Sequence, residues 1–196
     1  GIDFAEYPDP PVRGRARARW GIDDAAKVVL YLGRLDPTQG IDLLIRSFAE
    51  VAREFDDAVL VLVGGDMGHN EKFEERVRSL GLDERVIFTG FVSQEEKMAA
   101  FTDADVFVTP SFTGFPITFL EACLCGTPIV TTGQGDLLTW IEGSVGFNTA
   151  HTPGALADAI GQVLADDALR ARFSAQAKEL VRTRYNWPAI VRDIEA

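Results

Sequence analysis

KVVLYLGRLDPTQGIDLLIRSFAEVAREFDDAVLVLVG, residues 27–64, carries most of the information about the fold. Residues 27–33 form an apolar, β-branched run closed by Gly33, the pattern of a strand buried on both faces. Residues 41–55 place apolar side chains at 41, 44, 45, 48, 51, 52 and 55, which is the stripe of a helix lying on a core. Residues 58–64 are a second buried strand. A strand, a crossover helix and another buried strand make a parallel βαβ unit.

The alternation continues outward from this unit. Helix is expected at 70–80, strand at 85–90, and helix at 93–104 with Ser93 as its cap. Strands are expected at 105–110 and 127–132, with a weaker one at 145–148. Helices are expected at 153–165, 167–184 and 187–195. The expected class is therefore α/β: a Rossmann-like, doubly wound parallel sheet with helices on both faces. Such sheets bind ligands beyond the carboxyl ends of their strands.

Composition narrows the function. The 196 residues are 46% hydrophobic and 25% charged, enough for one well-cored domain. Nineteen basic residues against thirty acidic ones leave a net charge of −11, which argues against a nucleic-acid partner. No apolar run approaches the ~20 residues of a membrane span. The opening GIDFAEYPDP has no signal-peptide pattern, so the cytoplasm is the expected location. The basic run RGRARARW, residues 13–20, reads as the solvated face of a short leading helix. The competing reading is a peripheral contact with an anionic membrane surface or a partner domain. Cys123 and Cys125 would point about 200° apart on a helix, so they neither pair nor chelate together. His69 and His151 have no ligand spacing around them, so neither a metal site nor a Ser-His-Asp triad is expected.

Two loops can carry chemistry. The first, residues 33–40, follows the first strand. Gly33 admits a ligand to the backbone, and Arg34 would project at the carboxyl edge, where a guanidinium suits a phosphate. Asp36 is an equally close alternative partner for Arg34. No G-x-G-x-x-G follows the strand, which disfavours a nicotinamide dehydrogenase. The second is PSFTGFPITFLEACLCGTP, residues 110–128. Pro116 suits the first turn of a helix and Gly126 its end, so the helix N-terminus meets the ligand edge, with Gly114 giving close access. Free N–H groups there hold a phosphate. Glu121, with Ile117, Leu124 and Cys125 as helical neighbours, either accepts from ligand hydroxyls or lies at the stripe's margin in water. The loop at residues 133–136 either lines the same pocket or is a plain turn.

GRLDPTQGIDLLIRSF, VIFTGFVSQEE, ADVFVTPSF and GFPITFLEACLCGTPIV, in this order and spacing, resemble the carboxyl-terminal half of family 4 (group 1) glycosyltransferases of GT-B fold. The likeness runs from about residue 25 to the end, and Gly1-Ile2-Asp3 is similar to the segment where the family's chain enters its second domain. The resemblance implies that residues 1–12 are a linker from a missing amino-terminal, acceptor-binding domain. Residues 13–196 would then bind a nucleotide-sugar donor carrying UDP, GDP or ADP. Transfer to an acceptor of unknown identity would retain anomeric configuration, with no cofactor or metal, and this part alone would not turn over.

The resemblance also assigns roles. Arg34, beside Gly33, would meet the donor diphosphate, and Gly114, Phe115, Pro116 and Ile117 would form the turn that holds the phosphates. Glu121 would hold the ribose hydroxyls, and Phe91 and Val92 would face the base. Two positions depart from the family. Gln39 stands where a lysine is usual, and Thr113 where a glutamate is usual, so the catalytic set reads Arg34, Gln39 and Thr113. Losing a preorganised charge of this kind can cost ~3 kcal/mol of transition-state stabilisation. The chain is then either a variant with a rearranged sugar site or a catalytically impaired nucleotide- or partner-binding module. A sugar-nucleotide epimerase of the same overall fold is the third alternative.

Overall fold

The computed structural model describes residues 2–3, 7, 10–110, 117–133, 138–187 and 191. Six parallel strands form one sheet: β1 (Lys27–Leu32), β2 (Ala58–Val63), β3 (Val86–Gly90), β4 (Val106–Thr109), β5 (Ile129–Thr131) and β6 (Gly146–Asn148). Their order is β3-β2-β1-β4-β5-β6. The direction of winding reverses between β1 and β4, the switch point at which such sheets open a crevice.

Each strand is apolar throughout because both of its faces are covered. Val29 and Tyr31 of β1, Leu60 and Leu62 of β2, and Val106 and Val108 of β4 join one core layer. Their alternates Val28, Leu30, Val61, Val63 and Phe107 join the other. The first layer is covered by α2 (Ile41–Glu54), α3 (Asn70–Ser79) and α6 (Pro153–Ala165). In α2 the expected stripe is the buried one: Ile41, Leu44, Ile45, Phe48, Val51 and Ala52. The second layer is covered by α4 (Gln94–Asp103), α5 (Ile117–Cys125) and much of α7 (Asp167–Thr183). Each fully buried aliphatic or aromatic side chain contributes roughly 1.5–3 kcal/mol.

Three local features fix the elements that matter for a ligand. A capping box starts α4: the Ser93 hydroxyl accepts from the Glu96 N–H, and the Glu96 carboxylate accepts from the Ser93 N–H at 2.8 Å. Helix α5 is held to the sheet by edge-on rings, Phe119 against Phe107 at 6.1 Å and against Trp140 at 6.3 Å. It ends at Gly126, whose φ of 77° only glycine adopts freely, and a Cβ there would collide with Ser174 and Lys178 of α7.

The basic run departs from expectation at one arginine. Within α1 (Arg15–Trp20), Arg17 is 1% exposed. Its guanidinium donates to the carbonyls of Asp23, Ala26 and Asp103 and to Asp105 Oδ2. Asp103 in turn accepts from the Ala16 and Arg17 N–H groups, capping the helix from a distant element. A spacing of two on a helix sends Arg17 opposite to Arg15 and Arg19. Those two pair with Glu95 and Glu96 of α4. Arg17 is thus an electrostatic clasp inside the domain, while Arg13, Arg15 and Arg19 stay more than half exposed on the solvated face. The chain's start is also anchored: Ile2 is fully buried, and its N–H donates to the Tyr185 carbonyl at 2.6 Å.

Candidate functional site

A cavity of about 300 Å³ opens beyond the carboxyl ends of β1, β2 and β3. Gly33 and Arg34 line it after β1, Gly64 and Gly65 after β2, and Phe91 and Val92 after β3. Four of the residues singled out in the sequence therefore converge on one space. The walls include Leu32, Val63 and Met67, and Lys97 of α4 supplies a second cation. The Phe91 ring lies over Gly65, where even a methyl group would collide with it. That ring is otherwise 85% exposed, an aromatic surface at the cavity mouth.

Arg34 takes up the local partner as well as the cavity. Its Nε is 3.7 Å from Asp36 Oδ2, and its side chain is 67% exposed. A pair this open and this long contributes little, so the guanidinium is available to an anion. Asp36 is engaged elsewhere: it accepts from the Thr38 hydroxyl and N–H. Those bonds, Thr38's hydroxyl first, hold its carboxyl below the usual range. The Tyr31 hydroxyl donates to the Arg34 carbonyl at 2.8 Å, fixing the backbone at this point, and burial pushes that phenol's pKa far up.

Glu121 is 1% exposed, well inside the protein rather than at a wet margin. It sits in α5 between Leu120 and Ala122, both buried. Its Oε1 accepts from Lys97 Nζ at 2.5 Å and from the Tyr7 hydroxyl at 2.9 Å. Its Oε2 is buried with no partner among the described residues. Lys97 thus joins the carboxylate to the cavity. Neither Lys97 nor Tyr7 stands out in the sequence. The available signal is that Lys97 heads the helical stripe continued by the buried Ala100, Phe101 and Ala104, where a cation needs a partner.

The other sequence-derived positions fall as follows. Ile117 begins α5 and is 45% exposed. Gln39 is in the 3₁₀ turn Pro37–Gln39, half-buried, with its Nε2 donating to Thr38 Oγ1 at 3.4 Å. It does not line the cavity. Thr113, Gly114, Phe115 and Pro116, and the loop at 134–136, lie outside the described residues. Cys123 and Cys125 are buried and unpaired, and burial pushes their thiols up to about 12 and about 11. Among the described residues there is no cluster of metal-ligating side chains, and no helix long and apolar enough to cross a membrane.

Known proteins resemble this chain in sequence and in fold. The family described as glycosyl transferases group 1 matches residues 12–180. A GDP-mannose-dependent alpha-(1-6)-phosphatidylinositol monomannoside mannosyltransferase of Mycolicibacterium smegmatis is 34% identical over 95% of this chain and 51% of its own. A phosphatidyl-myo-inositol mannosyltransferase of Mycobacterium leprae is 37% identical over 89% of this chain and 46% of its own. The chain thus spans about half the length of the curated relatives it matches. Among solved structures, sucrose-phosphate synthase of Thermosynechococcus elongatus superposes with a TM-score of 0.80 at 31% identity, over 94% of this chain and 47% of that one. Anabaena Alr3699/HepE, in complex with UDP and glucose, gives 0.84 at 24% identity over 100% of this chain and 54% of that one, a likeness of fold. With most of its length matched by the profile and its sheet that of these enzymes, the chain belongs to the group 1 glycosyl transferase family.

Proposed function

We propose that this chain is the carboxyl-terminal, donor-binding half of a retaining family 4 glycosyltransferase, which moves a sugar from a nucleoside-diphosphate sugar to an acceptor. The observation that carries the reading is the buried Glu121 with its unpartnered Oε2, beside a cavity at the carboxyl edge of the sheet. An orphaned buried acceptor costs roughly 1–3 kcal/mol, and a ligand hydroxyl donating to it removes that cost. A ribose hydroxyl fills this role, with the base toward Phe91 and Val92 and the diphosphate toward Arg34. Gly114, Phe115, Pro116 and Ile117 complete the phosphate turn. As the sugar departs, negative charge builds on the diphosphate, and Arg34 is the group that opposes it. UDP and UDP-glucose in the Anabaena structures, and the GDP-mannose in the name of the M. smegmatis relative, support this class of donor.

Residues 1–12 are the proposed linker to an amino-terminal acceptor domain. The arginines at 13, 15, 17 and 19 are engaged by Asp105, Glu95 and Glu96, so the described residues lend no support to a membrane contact at that run.

Gln39 favours a second reading, a nucleotide-binding module impaired in transfer, because an amide brings no charge to the loop that Arg34 occupies. A thermal-shift panel of UDP-, GDP- and ADP-sugars on the intact protein tests the donor site, and detection of glycoside product separates the two readings. A shift with at least one donor is expected; no shift with any of them refutes the donor site. If transfer appears only in Gln39→Lys, the impaired-module reading stands.

A further inference from the structure

We propose that Tyr31 is a positioning residue for Arg34: its buried hydroxyl grips the Arg34 carbonyl, fixes the backbone from which that guanidinium projects, and so aims it at the donor diphosphate. This rests on the donor-site reading above and adds the group that holds its cation in place.

Tyr31 lies in β1 with its side chain in the first core layer, 2% exposed. Its hydroxyl reaches past the end of the strand and donates to the carbonyl three residues on, that of Arg34, at 2.8 Å. The N–H of the same peptide unit belongs to Leu35 and donates to the Gly65 carbonyl at 3.4 Å, and Leu35 is itself fully buried. The peptide after Arg34 is thus held at its carbonyl by β1 and at its N–H by the loop that follows β2. On the other side of the arginine, the Gly33 N–H donates to the Val63 carbonyl at 3.0 Å. The Arg34 side chain has little else to direct it: it is 67% exposed, and its contact with Asp36 is a long 3.7 Å.

Gly33 belongs to the same device. A Cβ there would lie 2.7 Å from the Tyr31 hydroxyl oxygen and 3.2 Å from the ring carbon that bears it. On that side the room left by glycine is taken by the hydroxyl. Burial, with the charge of Asp36 adding to it and that of Arg34 opposing, pushes the phenol's pKa far up. The proton given to the carbonyl is therefore present throughout the neutral range.

The test is calorimetry on the intact protein with whichever of UDP, GDP and ADP binds. Tyr31→Phe, which removes the hydroxyl and keeps the ring, is made in the parent and in Arg34→Ala. In the parent it should weaken the nucleotide about threefold or more, the worth of a neutral hydrogen bond. In Arg34→Ala, where no guanidinium remains to be aimed, that loss should largely disappear. A merely structural tyrosine lowers Tm and leaves the affinity of the folded protein unchanged. A loss below about threefold in the parent, or one as large in Arg34→Ala as in the parent, overturns the proposal. If Tyr31→Phe does not fold, Gly33→Ala carries the test, because its methyl group drives the hydroxyl off the carbonyl. Its loss should again disappear in Arg34→Ala, whereas a methyl that only obstructs the cavity weakens binding in both. If none of the three nucleoside diphosphates binds, or if Arg34→Ala binds as the parent does, the donor-site reading itself fails. That result differs from binding that depends on Arg34 and not on Tyr31.

Discussion

Replacing Glu121 by glutamine separates what the carboxylate does for the fold from what it does for a ligand. The amide keeps an oxygen for Tyr7 and Lys97 but puts an N–H pair where Oε2 now lies buried without a partner. A buried donor left unsatisfied costs roughly 1–3 kcal/mol. The broken ion pair adds less than a fully buried one, because Lys97 is 19% exposed and its ammonium can turn to water in the cavity. For a domain of this size each kcal/mol lowers Tm by about 2–4 °C, so a modest drop is expected. The ligand term is separate. Exchanging a charged acceptor for an amide that presents N–H groups to a ribose hydroxyl forfeits about 1.5–3 kcal/mol, or roughly 10- to 150-fold in affinity. Titration calorimetry of Glu121→Gln with a nucleoside diphosphate and with inorganic pyrophosphate reads the two ends of the site. The nucleotide should weaken by that factor and pyrophosphate, which meets only the Arg34 end, should not. A folded variant that binds nucleotide as the parent does refutes the ribose assignment.

Other outcomes follow from the same geometry. Arg34→Ala should weaken nucleoside diphosphate and pyrophosphate alike, by about tenfold or more, with little change in Tm because the side chain is 67% exposed; unchanged pyrophosphate binding would place the anion elsewhere. Arg17→Met should cost roughly 2–4 kcal/mol in urea unfolding, since it leaves the buried carbonyls of Ala26 and Asp103 without their donor while Asp105 keeps Arg13 and the Val28 N–H; a loss under 1 kcal/mol would mean that the clasp is dispensable. Burial raises the Cys123 thiol from its ordinary value near 9 to about 12 and Cys125 to about 11. A group raised in the folded state stabilises fully below its unfolded value, and that contribution is lost as pH climbs through the folded one. The urea midpoint should therefore fall between about pH 9 and 12, and iodoacetamide at pH 8.5 should label neither thiol until the chain unfolds; labelling of the native protein at the denatured rate contradicts this burial.

The sheet is legible in the sequence because a parallel strand covered on both faces has no polar phase to confuse it, as residues 27–33 and 58–64 show. Local chemistry marks the ends as well: Ser93 and Glu96 spell out their capping box, and Gly126 ends α5. Arg17 was not legible. Its own segment shows only repeated cations, and the partners that bury it, Asp103 and Asp105, lie more than eighty positions away and arrive through the packing of α1 on α4. Of the candidate site, Arg34 could be found because it follows a strand at the carboxyl edge, whereas Phe91 and Val92 were reached through the family resemblance alone. Glu121 showed itself as an acid in an apolar helix, but its burial needed the neighbouring elements in place. Lys97 and Tyr7 were missed for the same reason, Tyr7 coming from a proline-rich stretch with no period to place it.

A crystal structure of the intact protein with a bound nucleoside diphosphate tests the central claim most directly. A ribose hydroxyl should lie within hydrogen-bond distance of Glu121 Oε2, the base against Phe91 and Val92, and the diphosphate on Arg34. A nucleotide seated away from the carboxyl ends of β1, β2 and β3, with Glu121 still facing no ligand, would contradict it.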